Sequence, residues 1–261
     1  MKVFFLVLII LFLSGCIEQD QAQSLDIKMM ADSDTVFTGS ETKVYLDVNN
    51  NDVRSIKDVY MDIFETGSFT KVSDCEKEVD KIEPVSFDSL ECVLRAPETI
   101  PTSPMTTTIN ARVQFDSKLS AVQVIEMITE DEYNIRERTG KLVKKPKTYS
   151  YEDNNLELQI DFSDRLPIVV RDKKVYMYLT IRNIGDGFVS DIKQGDIEIR
   201  QDEDVVNCVE QDIAPIGKEF PRIACELNMP EDINYLNNYV VILDIDYHYE
   251  LREELLIDII R

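Results

Sequence analysis

The sequence predicts an all-β protein: two tandem antiparallel β-sandwiches behind an N-terminal signal and anchor segment, joined by a connector with a short helix. Three observations carry this expectation. Apolar residues recur with a period of two, a cysteine pattern occurs twice at a constant offset, and the first sixteen residues have a character of their own.

At the N-terminus, Met1 and Lys2 give a short positive start, and Val3 to Leu13 is an unbroken apolar run. Leu13-Ser14-Gly15-Cys16 then puts small residues before a cysteine. This is the layout of a signal peptide. A helix of that length, at about 1.5 Å per residue, covers only about half of a ~30 Å hydrocarbon core, too little for a permanent span. The run Leu-Ser-Gly-Cys resembles the lipobox of prokaryotic (bacterial or archaeal) lipoproteins, in which the chain is cut before the cysteine and its thiol receives a lipid. The resemblance implies that residues 1–15 are a signal peptide and that Cys16 is the lipid attachment site. It also places the protein at the cell membrane, lipid-anchored and facing the extracytoplasmic side. The alternatives are an ordinary cleaved signal, with Cys16 a bystander, or a short uncleaved anchor. Residues 16–24 are polar, as expected of a flexible tether.

The remaining cysteines organise the rest of the chain. Cys75 and Cys92 are separated by sixteen residues, and so are Cys208 and Cys225; each second cysteine is followed by four residues and Pro-Glu (Pro97-Glu98, Pro230-Glu231). The pattern C-x16-C-x4-P-E thus recurs 133 residues apart. Upstream, Lys43-Val44-Tyr45-Leu46 matches Lys174-Val175-Tyr176-Met177, and downstream Ala111, Val113 and Phe115 match Leu243, Ile245 and Tyr247. Two copies argue for tandem globular modules rather than a solenoid. Their expected bounds are 25–129 and 154–261.

Within the first copy, Leu25/Ile27/Met29, Val44/Leu46/Val48, Val59/Met61/Ile63 and Ala111/Val113/Phe115 alternate as half-buried antiparallel strands do. The second copy repeats this with Leu156/Leu158/Ile160/Phe162, Val175/Met177/Leu179/Ile181, Ile197/Ile199, Leu243/Ile245/Tyr247 and Leu255/Ile257/Ile259. Asn183-Ile184-Gly185-Asp186-Gly187 supplies turn chemistry where the first copy has Asn49-Asn50-Asn51-Asp52. Neither copy contains an amphipathic helix of useful length, which excludes a parallel α/β design. About seven short strands in about 105 residues describe a β-sandwich. The modules resemble the immunoglobulin-like domains of prokaryotic surface and adhesion-type proteins, by architecture rather than motif: the cysteines lie close together and Trp is absent.

Paired within repeats, Cys75 with Cys92 and Cys208 with Cys225, the cysteines would form disulfides. Each would be worth about 3 kcal/mol in the chain-entropy account. Metal binding is the alternative, but zinc sites favour C-x2-C pairs or several histidines, and His248 is the single histidine. No cofactor or metal is expected.

The connector, residues 130–153, carries six acids and six bases between bodies of net −9 and −12. Thr129-Glu130-Asp131-Glu132 is a capping-box pattern that predicts a helix to about Arg138, ended by Gly140. Lys141, Lys144, Lys145 and Lys147 form a basic cluster, either a contact for an acidic partner or lipid headgroups or a solvated linker. The whole chain of 261 residues has 50 acidic and 28 basic side chains, net −22, a charge that disfavours nucleic acid as a partner.

Chemistry is sparse. His248 lies in a strand-like run with no Gly-x-Ser-x-Gly elbow, and eight glycines offer little material for a phosphate loop. Asp32/Asp34, Asn50/Asp52, Asp186 and Asp202/Glu203/Asp204 offer hard oxygen ligands in loops, without the spacing of a calcium loop. Tyr176 and Tyr178 share the face opposite Val175, Met177 and Leu179, as packing or as a recognition stripe. The expectation is a non-catalytic, lipid-anchored surface protein that binds or scaffolds a protein or glycan partner in the cell envelope. The alternatives are an accessory subunit of an envelope secretion, transport or surface-filament complex, or a carboxylate-dependent hydrolase.

Overall fold

The computed structural model describes residues 25–171, 174–208, 212–230 and 236–261; the signal peptide, Cys16 and the tether lie outside the described residues. The chain is all-β with antiparallel sheets. In the first repeat the strands are β1 (Leu25–Ala31), β2 (Thr35–Phe37), β3 (Glu41–Asn50), β4 (Ile56–Glu65), β5 (Thr70–Lys71), β6 (Glu76–Ile82), β7 (Ser86–Arg95) and β8 (Met105–Ile128). Helix α1 (Glu130–Arg138) follows. The second repeat begins with β9 (Thr148–Glu152), β10 (Leu156–Phe162), β11 (Ile168–Val169), β12 (Tyr176–Asn183) and β13 (Phe188–Val189). It continues through β14 (Ile197–Gln201), β15 (Asp204–Val205), β16 (Asn207–Cys208), β17 (Ile223–Glu226) and β18 (Leu236–Ile260).

Among the described residues these strands make three sheets. A four-stranded sheet has the order β1-β3-β7-β5, a five-stranded sheet β16-β17-β12-β10-β9, and a nine-stranded sheet runs β15-β14-β18-β8-β4-β6 with β2, β11 and β13 at its margins. The two smaller sheets are counterparts in the repeat, β1, β3 and β7 answering to β10, β12 and β17.

The nine-stranded sheet is held by β8 and β18, which pair antiparallel residue for residue from Met105 opposite Ile259 to Ile128 opposite Leu236. The sequence pattern gives shorter stretches here, Ala111/Val113/Phe115 within one segment and Leu243/Ile245/Tyr247 and Leu255/Ile257/Ile259 within the other. Neither segment contains Gly or Pro, and the alternation keeps its phase through the polar residues. Odd-numbered positions face the core along both strands, from Ile109 to Met127 and from Val241 to Ile259. Because the parity never changes, both smaller sheets cover the same face of the long sheet.

The long strands also exchange partners. β4 flanks the N-terminal half of β8, and β14 flanks the N-terminal half of β18. The C-terminal ends cross over: β2 of the first repeat pairs parallel with β18 at residues 258–260, and β11 of the second pairs parallel with β8 at residues 127–128. Each smaller sheet is therefore opposed by strands from both repeats, and the buried apolar side chains form one continuous core.

Local chemistry shapes the ends of the elements. Asn50 and Asn183 close β3 and β12 and are buried. The Asn50 amide donates to the carbonyls of Arg54, Ile82 and Glu83 at 2.9 to 3.1 Å, and its carbonyl accepts from the Asp52 N–H at 2.9 Å. Asn183 donates to Gly187 O at 2.8 Å and accepts from Gly185 N at 3.1 Å. Helix α1 opens with the Thr129 hydroxyl accepting from Glu132 N and ends at Thr139, with Gly140 in the left-handed region at φ +69°.

The two cysteine pairs are bonded, and they do different work. Cys75 lies in the crossing from β5 to β6, its carbonyl accepting from Ile63 N of β4, and its bond to Cys92 on β7 ties the long sheet to the four-stranded sheet. Cys208 and Cys225 are register partners on β16 and β17, with Cα atoms 3.9 Å apart within one sheet.

Two outcomes follow from this architecture. Trypsin cleavage between Lys141 and Lys147 is expected to leave the two halves co-eluting on native gel filtration and separating only in denaturant, since the long ladder and not the connector holds them. Two separate native species after cleavage would refute that. Replacing Cys75 and Cys92 together by Ala is expected to lower unfolding free energy by about 3 kcal/mol in denaturant titration.

Candidate functional site

The repeat offset along the long strands is 132 residues, which makes Asp116 the counterpart of His248. These two residues are also register partners, so the local two-fold axis of the molecule passes between them. His248 Nδ1 lies 2.9 Å from Asp116 Oδ1 on the outward face of the sheet. The single histidine is thus a half-exposed member of a cross-strand pair.

On the inward face beside the axis stand four counterpart positions, Phe115 with Tyr247 and Ser117 with Tyr249. Three are aromatic: the Phe115 and Tyr249 rings are 5.6 Å apart and the Tyr247 and Tyr249 rings 6.4 Å. Tyr249 fills its side of the waist completely. Its hydroxyl accepts from Gly187 N at 2.8 Å, and a Cβ on Gly185 would lie 2.2 Å from that hydroxyl oxygen. A Cβ on Gly187 would lie 2.4 Å from Glu250 O. Both glycines are there because the ring leaves no room for a side chain.

The first repeat departs from this arrangement at each of these positions. Ser117 stands in place of the tyrosine, Arg54 in place of Gly187 and Asp52 in place of Gly185. Asp52 Oδ1 accepts from Arg54 N at 2.9 Å, taking over the turn-capping role of the Tyr249 hydroxyl, and the Arg54 guanidinium folds back to the same carboxylate at 3.3 Å. Burial pushes the Asp52 carboxyl up, but the hydrogen bonds and charge of Arg54 outweigh it and hold the group below its ordinary value.

Here a cleft of about 420 Å³ opens, lined by the β3–β4 turn, the middle of β8, the β9–β10 turn and Asp246. A shallower depression sharing Asp52, Arg54, Lys118 and Asp153 continues it toward Asn51 and Glu152. The β4 bulge between Lys57 and Tyr60 presents two further side chains to the cleft, Lys57 and Asp58. Asp58 adopts a φ of +52°, a conformation that aspartate tolerates better than most side chains. The Tyr247 hydroxyl donates to Asp153 Oδ2 at 2.7 Å and accepts from the Asn155 amide at 3.2 Å. Burial first, and then the Asp153 charge, push that phenol far upward, so it remains a neutral donor. Asp153 Oδ1 caps the β9–β10 turn through the N–H groups of Asn155 and Leu156.

The lining interleaves donors (Arg54, Lys57, Lys118), acceptors (Asp58, Asp116, Asp246) and groups that do both (Ser117, Asn154, Asn155). It suits recognition of a polar ligand through many hydrogen bonds. Of the residues singled out in the sequence, Asp52 and its turn fall in this site. Among the described residues no group of three or more His, Cys, Asp or Glu side chains is placed to hold a metal ion. Tyr176 and Tyr178 are half-buried and stacked 6.3 Å apart, with the Arg222 guanidinium over Tyr178. Arg54, Ser117 and Asp153 carry no local sequence signal for this site, and Tyr247 reads only as an inward strand residue; lining up the two repeats position by position sets Ser117 against Tyr249 and Arg54 against Gly187.

No family model matches the chain, and no curated protein matches it. Among solved structures it is similar to the crystal structure of Spo0M, sporulation control protein, from Bacillus subtilis, at 8% identity over 60% of this chain and 78% of that one, with a TM-score of 0.23. A likeness of that size bears on neither fold nor function.

Asp52 links the site to pH. A carboxyl with a depressed folded pKa contributes stability that is present above its unfolded value, about 3.9, and is lost as pH falls through the folded value. Asp52→Asn is therefore expected to be less stable than the parent at pH 7, with the gap closing below about pH 4. Denaturant unfolding at pH 7 and pH 3 checks this, and a gap independent of pH would assign the effect to the lost turn cap alone.

Proposed function

We propose that the chain is a non-catalytic, lipid-anchored protein of the cell envelope, carried on the membrane by Cys16, that uses the waist cleft to bind a polar ligand. The two halves serve as immunoglobulin-like sandwiches sharing their long strands, a stiff body that holds the cleft in one shape. The observation that carries the reading is the repeat asymmetry. One side of the waist is plugged by Tyr249 against two glycines, while the other has Ser117 and a charged, hydrogen-bonding lining. A glycan or a polar protein loop fits such a lining better than an apolar ligand does. The non-catalytic reading is supported by the commitments of the reactive groups: among the described residues the four cysteines are in disulfides, and His248 is on the outward face with Asp116.

A second reading, a permanently docked accessory subunit, is favoured by a different surface. Val122 and Val124 of β8 stand exposed on the outward face, opposite Ile242 and Val240 of β18.

The test separates the two. The plugging variant Ser117→Tyr, made together with Asp52→Gly and Arg54→Gly so that the ring has the room that Gly185 and Gly187 leave in the second repeat, restores the aromatic that the second repeat carries and is expected to unfold in one cooperative transition. Binding on an array of envelope glycans and polar peptides is expected for the parent and lost in this variant. Equal array binding by both would remove the cleft from the function, and a stoichiometric membrane complex recovered equally with both would favour the accessory subunit.

A further inference from the structure

A second cleft, of about 270 Å³, lies beside α1, apart from the waist. Its charged lining comes from three segments that are separate in sequence: Lys144 from the connector, Arg165 from the turn after β10, and Arg171 beyond β11. The fold holds these segments together by main-chain bonds. Lys145 N donates to Leu166 O at 2.9 Å, lacing the connector to the turn that carries Arg165, and Val170 N donates to Ile128 O at 2.9 Å where β11 runs along β8. Of the connector lysines, Lys144 lines the cleft, and the two arginines reach it through tertiary structure.

Three cations converging on one cleft run against the composition of a chain of net −22. Among the described residues their acidic neighbours are the exposed Glu137 and Glu130 and the half-buried Asp164. Lys144 is 4.0 Å from Glu137, Arg171 is 3.1 Å from Glu130, and Asp164 is the acid on the lining itself. Exposed pairs of this kind are weak and exchange readily for a better anion. The remaining wall is apolar and aromatic, with Pro167, Val169 and Tyr133.

We propose that this cleft binds a phosphate ester. Arginine forks match pairs of phosphate oxygens and a lysine adds a point charge, so Arg165, Arg171 and Lys144 suit the anion while Pro167 and Val169 receive the organic part. The volume admits a group of headgroup size. The same chemistry is offered by a membrane phospholipid and by a soluble phosphate ester. The proposal is independent of the waist cleft.

Calorimetric titration of the full chain in neutral detergent, with glycerol 3-phosphate and with dihexanoyl phosphatidylglycerol, tests it. The parent is expected to bind at least one of the two, and R165Q/R171Q to bind it about tenfold or more weakly, with the charge-matched K28Q/K193Q control unchanged. Both arginines are exposed, so the double variant is expected to melt with the parent; if it does not, Lys144→Gln reads the same loss from a connector residue. Equal affinities assign the recognition to the phosphate group and a soluble source, and tighter binding of the lipid assigns it to a headgroup. Binding of neither ligand by the parent, or loss shared equally by the control, would overturn the proposal.

Discussion

Two strands of roughly 80 Å, at about 3.3 Å per residue, lie antiparallel along their whole length, and the rest of the molecule is arranged by that ladder. β8 and β18 have no glycine or proline at which to bend or stop, and their inward residues keep one parity throughout. A strand too long for one sandwich must leave it. Each crosses the local two-fold axis into the other half, where β2 or β11 pairs with its end. Neither repeat then possesses a complete set of strands, and a single core is the consequence. Stiffness at the waist follows, since relative motion of the halves would break ladder hydrogen bonds in series.

Duplication supplies the symmetry, and divergence supplies the site. Where both repeats keep the same side chain, it performs the same task, as Asn50 and Asn183 do at the ends of β3 and β12. Where they differ, the difference is chemical. Tyr249 demands glycines around it, while Ser117 permits Arg54 and Asp52 to enter and close their own turn. The disulfides diverge in the same way: equal spacing in sequence joins two sheets in one repeat and two neighbouring strands in the other.

The acidic excess is spent largely on the surface. Arg112 on Asp62, Arg252 on Glu250 and Arg222 on Asp161 are cross-strand or near-neighbour pairs at 2.6 to 3.2 Å. Their carboxylates are buried (Asp62) or half-buried (Asp161, Glu250), while the guanidinium groups reach solvent. Arg112 and Arg252 face each other across the ladder, an unfavourable juxtaposition relieved by these acids and by the Phe64 and Phe188 rings beside them. Against this background the gathering of Lys144, Arg165 and Arg171 at one cleft is a local reversal of sign.

Period-two alternation, the doubled cysteine pattern and the Thr129 capping box are local signals, and from them the sequence by itself determined the all-β class, the repeat and the position of α1. Such signals depend only on neighbours within a strand or turn. What they could not carry was the joining of short apolar stretches into two long strands, because the polar residues between those stretches show their constant outward parity only against a partner strand. The exchange of strand ends, the axis through Asp116 and His248, and the cleft at Ser117 each need residues from both repeats side by side. Tertiary structure alone decided those, since a cavity is defined by what lies across it, and no single stretch of chain contains both of its walls.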